Sequence, residues 1–233
     1  MQRIMTLDYT LRDGGYCNQW RFGEKNIKKI INGLVASNVD MIECGFLTDK
    51  LQYDKNCTKF TKINQAEAFI PLHGDKTKFV MMINYGEYDF SLLQNSADTL
   101  IDGIRISFHK NSWEKAVDES RILIEKGYQV FLQPMISMLY SHEEFIALIN
   151  MANKLKPYAF YIVDSFGMMN KKSLVNYYKL VEQYLDGDIV IGFHSHNNMQ
   201  SAYANAQSLI EYESERTMII DSSIYGMGRG AGK

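Results

Sequence analysis

Short apolar runs rich in Ile, Val, Met and Phe alternate with longer amphipathic segments about eight times along this chain, and that alternation most limits what it can fold into. The strand-like runs are 4–8, 41–45, 79–84, 103–108, 129–135, 160–164, 189–196 and 218–221. Helical spacing falls between them at 24–37, 59–69, 88–93, 113–126, 141–154, 171–184 and 199–212. Strands joined by single crossover helices must lie parallel, and eight of them in 233 residues favour a closed (β/α)8 TIM barrel over an open doubly wound sheet. An open sheet would more often carry a Gly-rich phosphate loop after its first strand, and Leu11-Arg12-Asp13-Gly14-Gly15 does not fit that pattern. Local signals mark several helix ends: Ser141 and Glu144 at capping-box spacing, Gly127 behind Lys126, and Pro157 just beyond another helix.

No linker or low-complexity run divides the chain, so residues 1–233 read as one catalytic domain. The last strand has no eighth helix after it before Lys233, which reads as a barrel truncated at its C-terminal end. An apolar strip at Met218 or Ile220 is then expected to lie bare between the first and seventh helices, covered by a second copy or another chain. A formal net charge of −2 gives no electrostatic reason to expect nucleic acid or an anionic membrane as partner. With no signal-peptide region and no apolar run of membrane-spanning length, a cytoplasmic protein is expected. Cys17, Cys44 and Cys57 form an odd set without C-x-x-C spacing, which suits reduced thiols.

In such barrels the chemistry gathers at the carboxyl ends of the strands. Arg12 and Asp13 follow the first strand, Glu43 nears the end of the second, Arg105 lies on the fourth, Asp164 and Ser165 close the sixth, and His194 and His196 close the seventh. Side chains two apart on a strand share a face, so the two histidines project together, and Gly103, Arg105 and Ser107 point to the barrel axis while Ile104 and Ile106 face the helices. Two imidazoles on one face can chelate a divalent ion, with a third, oxygen ligand leaving positions open for water or substrate. Blander readings stand beside these. Arg12 and Asp13 also read as an exposed loop pair, Glu43 as a solvated strand end, and Asp164-Ser165 as a cap on the following turn. His73, His109 and His142 read as surface or capping residues, and the Gly-rich stretch 226–232 as either a flexible tail or a ligand loop.

Taken together, Leu11-Arg12-Asp13-Gly14, Ile42-Glu43-Cys44-Gly45, His194-Ser195-His196-Asn197 and Gly226-Met227-Gly228-Arg229-Gly230-Ala231-Gly232 resemble the DRE-TIM metallolyase superfamily in order and spacing over nearly the whole chain. The match is nearest to the 4-hydroxy-2-oxovalerate aldolase type, in a group that also holds HMG-CoA lyases and isopropylmalate synthases. The resemblance implies a barrel with Mg²⁺ or Mn²⁺ on Asp13, His194 and His196, Arg12 on the keto and enolate oxygens of a 2-oxo acid, and Glu43 ordering that corner. Cleaving a carbon–carbon bond beside a carbonyl passes through an enolate, which a cation and a guanidinium both stabilise. Arg105, Asp164 and Ser165 are further candidates for holding substrate.

The chain departs from that pattern at three points. The aldolases place a histidine base just after their Arg-Asp-Gly, whereas Gly14-Gly15-Tyr16-Cys17-Asn18 holds none, leaving Tyr16, His109 or a bound water as substitutes. The thioester lyases carry a cysteine in the loop after strand eight, and this loop has none. Lys233 stands where the family's Gly-Ala-Gly is normally followed by asparagine. The expected activity is metal-dependent cleavage or formation of a 4-hydroxy-2-oxo acid. A Claisen-type acyltransferase using an acyl-CoA, a metal-dependent hydrolase and a catalytically impaired barrel are the alternatives.

Overall fold

The computed structural model describes residues 3–71 and 76–232. Among the described residues, nine strands and seven α-helices follow in the order β1 (Ile4–Asp8), α1 (Glu24–Ala36), β2 (Met41–Leu47), β3 (Lys59–Phe60), α2 (Ile63–Glu67), β4 (Lys78–Asn84), β5 (Gly103–Phe108), α3 (Trp113–Glu119), α4 (Arg121–Glu125), β6 (Gln129–Pro134), α5 (His142–Leu155), β7 (Ala159–Val163), α6 (Lys171–Tyr184), β8 (Val190–His194), α7 (Ala202–Ile210) and β9 (Met218–Ser222). All named strands pair in parallel, in the order β1-β9-β8-β7-β6-β5-β4-β2, and β1 pairs with β2 to close the ring. The fold is the expected (β/α)8 barrel. Two-residue β3 hangs on the outer end of β2.

Period-two alternation sorts each strand's side chains into two cores. Met5, Leu7, Tyr9, Met41, Val80, Phe131, Tyr161, Val163 and Ile219 fill the barrel, while Ile42, Met81, Ile104, Ile106, Leu132, Phe160 and Ile191 pack under the helices. Closely packed barrels need room for such rings. Gly192 sits beside Tyr161 in register, and a Cβ there would come 2.3 Å from the ring.

The differences from the sequence expectations are local. The 59–69 segment is not one helix: Lys59 and Phe60 pair with β2 because β2 bulges between Glu43 and Phe46, and only Ile63–Glu67 is helical. The bulge rests on Gly45, whose φ of 149° and 2.1 Å approach of a would-be Cβ to the Thr58 carbonyl admit no side chain. The 113–126 helix breaks into α3 and α4 at buried Ser120, whose hydroxyl donates to the Ala116 carbonyl, a bond that bends helices. The 88–93 segment is a single 3₁₀ turn, Phe90–Leu92, capped by Asp89. Met218 and Ile220 were expected bare; both are buried, at 0% and 8% exposure. His73 lies outside the described residues. Among the described residues, no helix is long and apolar enough to cross a membrane.

Candidate metal centre

The turn after β1 is tight: the amides of Arg12 and Asp13 both donate to the Tyr9 carbonyl, and the Trp20 indole donates to the Arg12 carbonyl at 2.7 Å. It drops Arg12 and Asp13 into the barrel mouth, where both are buried rather than exposed as a loop pair. His194 ends β8 and His196 lies two residues on, so the strand is shorter than the 189–196 run, yet both rings reach the same place. One ligand atom each from Asp13, His194 and His196 lies within 4.8 Å of the others.

The hydrogen bonds around these rings set which nitrogen is available. His194 Nδ1 pairs with an Asp221 carboxylate oxygen at 2.6 Å, and His196 Nδ1 with the Asp164 carbonyl at 3.1 Å. Each Nδ1 therefore carries the proton, and each Nε2 keeps a lone pair. His196 Nε2 is buried without a hydrogen-bond partner, 3.5 Å from Asp13 Oδ2. Two imidazole lone pairs and a carboxylate are all acceptors, and acceptors converging in a buried corner call for a cation. The set fits a divalent metal through nitrogen and oxygen ligands.

Beneath this corner runs a chain of buried charge. Arg12 donates to Asp13 at 2.7 Å and to Glu43 Oε2 at 2.8 Å; Arg105 donates to the same Glu43 oxygen at 3.0 Å and to Asp221. Tyr161 donates to Asp221 Oδ1 at 3.1 Å. Burial works against both guanidinium ions, but Glu43 and Asp13 around Arg12, and Asp221 and Glu43 around Arg105, outweigh it and raise both pKa values. Glu43, far from a solvated strand end, is fully buried, and its Oε1 has no hydrogen-bond partner.

A cleft opens over the corner. Arg12, Asp13, Tyr16, His194, His196 and Arg229 line one side, and Ser165 also borders it. Arg105 and Asp164 do not line it: Arg105 lies under its floor, locked by two carboxylates, and both Asp164 oxygens accept from the amides of Met168 and Met169, the turn-capping alternative. His109 and His142 are exposed and away from the cleft. The Gly-rich stretch is no loose tail. The Arg229 amide donates to Asp13 Oδ2 at 3.1 Å, its guanidinium lies 5.3 Å from the Tyr16 ring, and the Gly232 carbonyl accepts from the Asn197 amide at 2.8 Å.

Sequence reasoning missed Asp221 and Arg229 as parts of this centre. Asp221 had a signal: it shares strand parity with inward-facing Ile219 and so had to point at the axis. Arg229 had a partial one: it lies in the Gly-rich stretch 226–232, which reads as either a tail or a ligand loop, while its bond to Asp13 depends on that stretch folding back over the mouth.

Known proteins resemble the chain in sequence and in fold. The HMGL-like family model matches residues 3–233. The chain belongs to the HMGL-like family. Its HMGL-like relatives include a 4-hydroxy-2-oxovalerate aldolase of Geobacillus genomosp. 3, 26% identical over 99% of this chain; the chain spans 67% of that relative's length. Among solved structures, the N-terminal domain of a candidate aldolase from Bacteroides vulgatus superposes with a TM-score of 0.75 at 26% identity, covering 98% of this chain and 75% of that one. The HMG-CoA lyase of Bacillus subtilis shares the HMGL-like fold at 12% identity and a TM-score of 0.74, covering 100% of this chain and 82% of the other.

Proposed function

We propose that this HMGL-like chain is a divalent-metal-dependent carbon–carbon lyase of the aldolase type, cleaving a 4-hydroxy-2-oxo acid to pyruvate or a close analogue and an aldehyde. The observation that carries the reading is the convergence of Asp13, His194 and His196, with the buried, unpartnered Nε2 of His196, beside Arg12. A Mn²⁺ or Mg²⁺ ion bound there would supply a Lewis acid for the carboxylate and keto oxygens of a 2-oxo acid.

The protein's own groups do the rest. Arg12 Nε and Nη1 are held by Glu43 and Asp13, which fixes the guanidinium plane, and Nη2 donates to no atom among the described residues while Arg12 lines the cleft. That amino group is the donor for the keto oxygen as negative charge develops on it. In the cleavage direction the bond between C3 and C4 breaks, its electron pair moves onto the 2-oxo fragment, and the C4 hydroxyl gives up its proton as the aldehyde forms. Of the candidate proton acceptors in the sequence, Tyr16 lines the cleft and His109 does not. Tyr16 is the side chain placed to relay this proton, with the Arg229 guanidinium 5.3 Å from its ring, and a bound water is the other acceptor. The C3 carbon is then protonated, completing pyruvate.

The test is pyruvate release from a panel of 4-hydroxy-2-oxo acids with Mn²⁺. His194→Ala and Asp13→Asn are expected to abolish it, and Tyr16→Phe to lower kcat by about 10²- to 10⁴-fold, the usual worth of a general base. Release of a thiol from an acyl-CoA in place of pyruvate formation would point to acyl transfer. Turnover indifferent to chelator would sink the metal-dependent reading.

A further inference from the structure

Arg12, Asp13 and Arg229 are the charged side chains that line the cleft. Arg12 and Asp13 hold each other at 2.7 Å, and Arg12 reaches Glu43 as well. Arg229, in the Gly-rich stretch after β9, is different. Among the described residues its guanidinium meets no carboxylate and no carbonyl; its neighbour is the Tyr16 ring, 5.3 Å from Cζ.

An exposed arginine is at ease in water, so exposure alone says nothing. What sets Arg229 apart is how firmly it is placed. Its amide donates to Asp13 Oδ2 at 3.1 Å, the Cys17 thiol donates to the preceding Gly228 carbonyl at 3.5 Å, and the Ala231 amide donates to Asn198 Oδ1 at 3.2 Å. Tyr16 is itself set by an edge contact with Trp20 at 4.7 Å, and the Trp20 indole is bound to the Arg12 carbonyl. Backbone and ring contacts thus keep the cation at the cleft and leave its N–H groups for a ligand.

Where a ligand would meet Arg229 follows from the metal corner. A 2-oxo acid held through C1 and C2 beside Asp13, His194 and His196, with Arg12 on its keto oxygen, brings its C4 hydroxyl to Tyr16. Arg229 lies against Tyr16, so the next atoms of the ligand come to the guanidinium. Phe46, Met82, Met135 and Val163 give the carbon chain of any such acid an apolar lining, so selection falls on the end group. A guanidinium fork matches an oxyanion through paired N–H groups, whereas a methyl group there would strip water from the cation and return nothing.

We infer that Arg229 sets the specificity of this cleft by binding an anionic group, carboxylate or phosphoryl, attached beyond C4 of the 2-oxo acid, so that the aldehyde released is itself an anion. The inference rests on the aldolase reading for the direction in which the ligand lies.

Three acids without a C4 hydroxyl, and so unable to undergo cleavage, isolate binding from turnover: 2-oxopentanoate, 2-oxopentanedioate and 2-oxo-4-phosphonobutanoate. They match in length and differ in end group. Titrated by calorimetry into the Mn²⁺-loaded protein at low salt, an acid with an anionic end is expected to bind about ten-fold more tightly than 2-oxopentanoate, the worth of a charge-assisted pair. The tighter of the two anionic acids identifies the group as carboxylate or phosphoryl. A bound ion also attracts a dianion, so the variants decide. In Arg229→Gln and Arg229→Glu, which keep the backbone amide and are checked for folding by denaturation midpoint, the ratio falls toward one. Equal binding of all three acids, or a preference that both variants keep, overturns the assignment. A preference that depends on Arg229, with no pyruvate released from any 4-hydroxylated counterpart, supports the anion site and overturns the aldolase step alone. Pyruvate release without that preference overturns the site and leaves the aldolase step. Binding of none of the acids overturns both.

Discussion

Asp221 holds His194 by its Nδ1 and Arg105 by a guanidinium nitrogen, so one carboxylate sets the tautomer of a metal-binding ring and neutralises a buried cation. Replacing it with asparagine keeps shape and an acceptor but weakens the pull on the imidazole. Asp221→Asn is expected to lower Mn²⁺ affinity about 10- to 100-fold by calorimetry, the usual effect of losing an outer partner of a metal-bound histidine; affinity equal to wild type would remove Asp221 from the centre. Asp8 is a second buried acid with a measurable signature. Burial raises its pKa, hydrogen bonds from Thr10 oppose that, Glu43 and Asp221 add to it, and the result is about 6 in the fold against 3.8 for the free side chain. The folded chain thus binds this proton more tightly than the unfolded one. The contribution is fully present below about pH 3.8 and is lost as pH rises through about 6, a change of about 3 kcal/mol. In the chelator-treated protein, Asp8→Asn is expected to flatten the fall in denaturation midpoint between pH 4 and 8, and an identical slope in both proteins would contradict the assignment. At this scale the sequence exposed Asp13, Arg12, Glu43 and the histidine pair, because charged residues at strand ends of a barrel have few places to go. It offered the turn cap that Asp164 makes, beside the substrate role, but could not show that Arg105 is locked beneath the cleft, since that depends on Glu43 and Asp221, 62 and 116 residues away.

Strands were easier to read than the connections between them. β1 and β5 span the same residues in sequence and structure. β2 was read as ending at Gly45, the residue whose bulge lets it continue to Leu47 and take on β3. A glycine inside an apolar run signals either an end or a bulge, and the distinction lies in the Thr58 carbonyl that packs against it. Gly45→Ala is expected to lower stability by upwards of about 2 kcal/mol, since the new methyl must displace backbone and adopt a disfavoured φ. Chemical denaturation measures it, and a midpoint within error of wild type would mean the bulge is not held as described. Glu43 lies on the same strand, two residues before the bulge, so the variant should also loosen Arg12.

Closure of the eight-strand ring brings residues from opposite ends of the chain into one mouth: Asp13 meets the Arg229 amide, and Arg105 meets Asp221. That closure was legible from the count and spacing of β/α units, while the folding of the Gly-rich stretch onto Asp13 was not, because glycine runs carry no periodicity to read. The metal corner joins loops after β1 and β8 to the segment after β9, so a bound ion should stabilise the whole barrel, by about 2.7 kcal/mol at a hundred-fold excess over Kd. The measurement that bears most directly on the central claim is a Mn²⁺ titration of the chelator-treated protein, with ion binding followed by calorimetry and pyruvate release from a 4-hydroxy-2-oxo acid followed in the same samples. One ion per chain is expected, with release rising in step with occupancy and both lost in His196→Ala. Pyruvate release that persists in EDTA, or Mn²⁺ binding that His196→Ala leaves unchanged, would contradict the account.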